Sequence, residues 1–325
     1  MLNETYRGML AHKSVIRETF MYGKQRAAQI GYENVFDYSL GNPSVPCPEQ
    51  FTAAMQELLA QEDPVALHGY CPSQGDPEFR TAVAAHLNRT FGLPYAQKDI
   101  FPTTGAAGAI AHAVRAVTRP GDEVLTFAPY FPEYGPYVEG TGAHLRVVPP
   151  QAPAFQPNLE AFEQMLTEKV TCVLINTPNN PTGVTLPRGL LEAALRICRA
   201  QGTRVLLDEC FLDFTDVASA KDLLEAYPNL LILKAFTKNY ALAGVRAGYC
   251  LTADRQLLEK MSACSQPWNV SVPAQAAALA ALREPDWPAK ARPLIAAQRA
   301  VLTADLTALG LTVCPSQANY LLFRG

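Results

Sequence analysis

From about residue 50 onward, the hydrophobic and polar positions of this chain follow two rhythms. Apolar residues spaced three and four apart predict helices over 49–61, 77–91, 106–118, 159–167, 187–201 and 219–226. Short, nearly continuous apolar runs lie between them. They predict strands at Asp99–Pro102, Glu123–Phe127, Leu145–Val148, Val170–Ile175, Thr203–Asp208, Leu230–Leu233 and Ala247–Leu251. Runs that are apolar on both faces, alternating with helices, imply a mostly parallel sheet covered on both sides, an α/β fold. Ahead of this region come a charged helical segment, the stretch Val35–Leu40 and a turn, Gly41-Asn42-Pro43-Ser44-Val45-Pro46. Beyond about residue 253 the pattern is helical and rich in Ala and Leu. The last residues, Gln317–Gly325, predict a strand. No internal repeat or low-complexity linker interrupts the series.

Bulk properties narrow the function classes. With 325 residues the chain has room for two domains, or for one large domain and a smaller one. A net charge of −3 offers no basic surface for nucleic acid. The Ala-rich stretch 274–282 is too short to span a membrane and reads as a buried helix. Met1–Arg7 lacks the charged-then-apolar order of a secretory leader. The eight cysteines form no CxxC pair and no Cys/His cluster at metal spacing. Reduced thiols, no metal site and a cytoplasmic location are the expectation.

Four constellations carry candidate chemistry. Thr103-Thr104-Gly105-Ala106-Ala107-Gly108 follows a predicted strand and opens a helix. Small residues there leave the first backbone N–H groups open to an anion such as phosphate, although close helix packing would explain them too. Asn176-Thr177-Pro178-Asn179-Asn180-Pro181-Thr182-Gly183 makes a stiff turn at a strand's C-terminal end, where ligands gather in open α/β sheets. Asn180 can present an amide there. Val205-Leu206-Leu207-Asp208-Glu209 ends an apolar strand in two carboxylates, and a buried one needs a cation or a strong donor beside it. Lys238 follows the run Leu231-Ile232-Leu233, with Thr237 before it and Arg246 eight residues after. A lysine drawn out of water loses basicity and becomes a nucleophile. A phosphate cradle, a carboxylate, an amide and such a lysine suit a phosphorylated pyridine aldehyde.

On Asn179-Asn180-Pro181-Thr182-Gly183, and on Lys238 with Arg246, the chain resembles the class I/II aminotransferases of the fold-type I pyridoxal 5'-phosphate (PLP) family, from about residue 35 to the end. Asp208-Glu209-Cys210-Phe211-Leu212-Asp213-Phe214 and Ala241-Leu242-Ala243-Gly244-Val245-Arg246 are most similar to the histidinol-phosphate aminotransferase and threonine-phosphate decarboxylase branch. The resemblance implies a fold-type I transferase: an N-terminal arm over 1–45, a large PLP-binding domain over 46–255, and a smaller α+β domain over 256–325 that looks incomplete. It implies that Lys238 forms the imine with PLP and shuttles a proton, and that Asp208 pairs with the pyridine nitrogen. Asn180 would donate to the ring O3′, and Phe131 would stack on the ring. Gly105, Ala106 and Ala107, with Thr237 and Arg246, would hold the phosphate. Tyr70 would reach the phosphate of a neighbouring subunit, which implies a homodimer. Gly41 and Asn42 would border the substrate carboxylate. The implied reaction is amino transfer from an amino acid to a 2-oxo acid. Decarboxylation of an O-phospho-amino acid, or cofactor binding without catalysis, are the alternatives.

Three departures from that pattern stand out. Phe211 stands where many relatives place a tyrosine that donates to O3′. Ala235 stands where they often have a Ser or Thr for the phosphate. No position matches the arginine that relatives use for the substrate carboxylate, so a shortened tail or altered substrate binding is expected. Trp268 and Asn269 are candidate pocket residues of lower specificity.

Overall fold

The apolar runs assemble into one seven-stranded sheet in a computed structural model of the chain, which describes residues 4–11, 14–43, 45–61, 63–151 and 154–325. Met1–Asn3 of the leader reading and Ser44 of the predicted turn lie outside the described residues. The strands are β1 (Ile100–Thr103), β2 (Glu123–Phe127), β3 (His144–Val148), β4 (Val170–Asn176), β5 (Arg204–Asp208), β6 (Leu230–Ala235) and β7 (Gly248–Leu251). Their order across the sheet is β1-β7-β6-β5-β4-β2-β3. All neighbours are parallel except that β7 runs against both β1 and β6. The connection 236–247 explains the reversal. It holds only a four-residue helix, Phe236–Asn239, too short to cover the sheet face as the crossover helix of a parallel return does.

Alternate residues of each strand feed two cores. On one face, Val173, Ile175, Val205, Leu207 and Ile232 meet the helices Pro77–Phe91 and Arg188–Ala200 through Phe79, Leu87 and Leu195. On the other, Leu174, Leu206, Leu231 and Leu233 meet the helices Gly105–Val117 and Arg255–Cys264 through Ile110, Val114 and Met261. Among the described residues no helix is long and apolar enough to cross a membrane.

Two predicted elements differ. The segment 219–226 forms only the 3-10 turn Ala220–Leu223, held against the sheet edge by Glu209, whose carboxylate accepts from Ser219 Oγ and from Ala220 N–H at 2.8 Å. The C-terminal strand shrinks to Phe323–Arg324, paired with Thr312–Val313. Its earlier part docks on the turn after β4 instead. Gln317 N–H donates to the Gly183 carbonyl at 2.8 Å and the Tyr320 hydroxyl to the Asn179 carbonyl at 2.9 Å.

Strand β6 extends to Ala235 and buries Lys234, which the sequence pattern placed outside the strand. Its Nζ lies 2.8 Å from Asp213 Oδ1, whose other oxygen accepts from Asn239. Burial alone would lower this lysine's pKa, but Asp213 and Glu209 outweigh it and hold the ammonium charged.

Among the described residues Lys221 has no such partner. It is 3% exposed, and its Nζ sits 3.7 Å from the centroid of the Phe91 ring. Burial, reinforced by Lys234, pushes its pKa down to about 7. An unfolded lysine keeps its proton to about pH 10. Between those values the unfolded chain binds more protons, so stability rises with pH across that window. Lys221→Met is therefore expected to stabilise the protein at pH 7, because it removes an uncompensated buried charge. Its advantage over wild type should shrink by roughly 2 kcal/mol by pH 9. Urea unfolding at the two pH values checks this, and a gap independent of pH would contradict it.

Candidate active site

Parallel strands bring their C-terminal ends to one edge, so residues just after β1, β4, β5 and β6 share a cleft there. Lys238 lies in the short helix after β6, Asp208 ends β5, Asn180 follows β4, and Gly105 opens the helix after β1. Arg246 enters the same edge from the opposite direction, two residues ahead of antiparallel β7.

Lys238 is half-buried, and its ammonium donates to the Gly41 carbonyl. The ring centroid of Phe211 lies 5.6 Å from Nζ. Burial is the main cause that lowers its pKa; the Arg246 charge acts the same way and Cys210 opposes it. Asp208 accepts from Cys210 N–H at 2.9 Å, and its pKa is raised by burial despite that bond and the nearby charge of Lys234. Among the described residues it has no ion-pair partner. It is a carboxylate in want of a cation.

The anion cradle rests on a steric fit. Arg246 sends its guanidinium to the Ala243 carbonyl at 3.0 Å and to the Thr104 carbonyl at 3.2 Å. That places it over the first turn of the helix Gly105–Val117, whose cap residue Thr104 makes no side-chain bond to the open N–H groups. Two of its five donors are used; the others remain. Gly105 adopts φ +71°, and a Cβ there would stand 2.9 Å from an Arg246 nitrogen. Because the guanidinium is the far end of a flexible, exposed side chain, Gly105→Ala should displace it and destabilise the fold by the ~1 kcal/mol expected of left-handed strain. Gly92, at φ +66° with open space around it, is the control for strain alone. Urea unfolding should show similar losses for Gly105→Ala and Gly92→Ala. A clearly larger loss at Gly105, removed by adding Arg246→Ala, would show instead that the guanidinium cannot yield.

Asn179 organises the turn before Asn180. Its amide donates to the Pro129 carbonyl and to Asn176 Oδ1, each at 2.9 Å, and its Oδ1 accepts from Thr182 Oγ1 at 2.8 Å. The Asn180 side chain makes no hydrogen bond among the described residues and is free for a ligand. Phe131 is half-buried, its ring edge-on to Tyr134 with centroids 5.7 Å apart. Thr237 is half-buried beside Lys238, and Ala106 and Ala107 lie in the first turn of their helix. Asn42 is exposed next to Gly41.

Tyr70 does not join this cluster within one chain. It is 83% exposed and stacks on Trp268 at 4.3 Å. Asn269 faces β1 instead, donating to the Pro102 carbonyl at 3.4 Å. The structure adds one residue that sequence reasoning passed over. Tyr320 lies edge-on to Phe211 with centroids 5.0 Å apart and bonds the turn that carries Asn180. Burial, with Asp208 nearby, keeps its hydroxyl protonated. Its only sequence signal was an aromatic residue in a terminal run read as a strand.

A doubly covered α/β sheet whose ligand edge pairs a desolvated lysine with an unpartnered carboxylate and an anion cradle defines a cofactor-binding class of transferase fold. The chain belongs to the aminotransferases of class I and II, whose family model matches residues 33–325. It is 34% identical over 246 residues to a histidinol-phosphate aminotransferase of Anaeromyxobacter sp., a match covering 75% of this chain and 65% of that protein. It is 31% identical over 227 residues to an aspartate aminotransferase of Thermotoga maritima, covering 69% and 59% respectively. These matches span less than two thirds of the length of those two relatives. An amino transferase of Eubacterium rectale superposes with a TM-score of 0.83 at 31% identity, covering 98% of this chain and 83% of that one.

Proposed function

We propose that the chain is a PLP-dependent aminotransferase that moves an amino group between an amino acid and a 2-oxo acid in a ping-pong cycle. The reading rests on three features at the same strand-end edge as Lys238: Asp208 without a cation, the Arg246–Gly105 cradle open to an anion, and a lysine whose basicity burial lowers. PLP offers both, a protonatable ring nitrogen and a phosphate, so the residues fit it. When bound, PLP supplies an aldehyde that captures amino groups and a ring that draws electrons from the substrate Cα.

The chain's own groups do the rest. The N–H groups of Gly105, Ala106 and Ala107, the Thr237 hydroxyl and the Arg246 guanidinium bind the phosphate. Asp208 would hold a proton on the ring nitrogen, Asn180 would donate to the ring hydroxyl oxygen, and Phe131 would lie against the ring. Phe211 gives Lys238 an apolar neighbour, which favours the neutral amine. Lys238 Nζ would take the proton from the substrate Cα and deliver it to the cofactor's aldehyde carbon, on the other side of the amino nitrogen. Gly41 and Asn42 would border the substrate carboxylate.

Exposed aromatic residues of the N-terminal third support a homodimer, with Phe36 80%, Tyr38 85% and Tyr70 83% exposed. Tyr70 would then complete the partner's phosphate site. Eight free thiols support a reducing, cytoplasmic setting. Incubating the PLP-loaded protein with a panel of amino acids and 2-oxo acids tests the reading. New amino acid and 2-oxo acid in equal amounts are expected. Carbon dioxide without them, or no turnover of any pair, would overturn it.

A further inference from the structure

A cavity of about 340 Å³ lies behind the lysine-bearing helix, walled by Ala235, Phe236, Asn239 and Tyr240 but not by Lys238. Its other walls are the end of the helix Pro77–Phe91, the turn Ala220–Leu223 and the start of the helix Trp287–Ala308. That volume falls at the lower end of small-molecule sites, roughly 300–1,000 Å³.

Among the described residues, all but two of the wall's charged side chains are ion-paired. Lys234 pairs with Asp213 at 2.8 Å, and Arg292 pairs with Asp216 at 2.5 Å. Asp286 stands exposed at the rim. Lys221 is left over. Its ammonium makes no hydrogen bond or ion pair among the described residues and lies over the Phe91 ring, although the residue is 3% exposed. A second polar atom in the same wall, His86 Nδ1, is also buried without a partner. Burial, with Lys221 and Arg89 nearby, holds that ring neutral, its pKa lowered to about 4. A buried cation without a counter-charge is costly, and an anion placed against it removes the cost. The remaining wall is mixed, with the polar residues Thr90, Thr215 and Asn239 beside an apolar side made by Phe91, Val217 and Leu282. A dianion such as phosphate would meet one free ammonium and the neighbouring Asp213 carboxylate, so a single negative charge fits better.

We propose that this cavity is a second ligand site, separate from the candidate active site, for a small organic monocarboxylate. Its carboxylate meets Lys221 and its apolar body lies against Phe91, Val217 and Leu282. The site stands whether or not the chain is an aminotransferase.

Calorimetric titration of the PLP-loaded protein with hexanoate and with uncharged hexanamide tests it. Hexanoate is expected to bind saturably and at least tenfold more tightly than hexanamide. Lys221→Met should lower hexanoate affinity at least tenfold, to about the level of hexanamide. Val217→Trp, which fills the cavity from its rim, should weaken both ligands. Unfolding curves confirm that the two variants are folded. Hexanoate binding unchanged in both variants would place the ligand elsewhere and overturn the proposal. So would equal binding of acid and amide, or no saturable hexanoate binding to wild type.

Discussion

Replacing Lys238 by alanine is expected to reduce amino transfer by about 10⁴-fold, the upper range for a positioned acid–base group. The size follows from how the structure prepares this side chain. Burial and the Arg246 charge lower its basicity, so a neutral amine is more available than on a surface lysine. The Phe236–Asn239 helix sets it at the sheet edge, with Phe211 on one side and Gly41 on another. No other lysine can take over. Lys234 is committed to Asp213, and Lys221 opens on a different cavity. The fold should be nearly indifferent to the change, because among the described residues the one hydrogen bond lost is that to the exposed Gly41 carbonyl. Initial rates at saturating donor and acceptor measure the effect. A variant retaining more than about a tenth of wild-type rate would show that Lys238 does not move the proton.

Asp208→Asn should separate activity from stability. In the folded chain without PLP, burial raises the Asp208 pKa and no ion-pair partner offsets it. The amide keeps the shape and can still accept from Cys210 N–H, so the melting temperature without PLP should stay level or rise. With PLP the balance reverses. Under the proposed assignment the carboxylate would then face a ring cation, and removing one member of a buried ion pair costs about 3–5 kcal/mol. At about 1.4 kcal/mol per tenfold, turnover should fall roughly 10²- to 4 × 10³-fold. Thermal melts and rates on the same preparations give both numbers. A fall in stability with unchanged turnover would make Asp208 a structural residue instead.

What the sequence disclosed and what it hid divide along contact distance. Asp208, Asn180, Gly105 and Lys238 each sit at the end of a strand or the start of a helix, so local pattern alone carried them to one edge. The parallel body of the sheet was legible for the same reason, in the apolar runs Val170–Ile175 and Leu230–Leu233, which the structure extends to Asn176 and Ala235. Other contacts depend on chain closure over long separations. Gly41 meets Lys238 across 197 residues, and Tyr320 meets the Asn179 carbonyl across 141. Neither pairing leaves a local pattern. Lys221, in a polar stretch, and Lys234, whose charge closed an apolar run, were both hidden, since a lysine reads as solvated until its surroundings are known. Tyr70 marks the limit of a single chain. Its stacking on Trp268 is visible, but the phosphate role assigned to it needs a second subunit.

The central claim is that Lys238 is the residue that joins PLP covalently. Loading the protein with PLP, reducing it with borohydride and mapping the modified peptide by mass spectrometry tests that directly. The account predicts one pyridoxyl group per chain, on Lys238, and none after Lys238→Ala. A label on Lys221, Lys234 or a surface lysine, or no stable label at all, would contradict it.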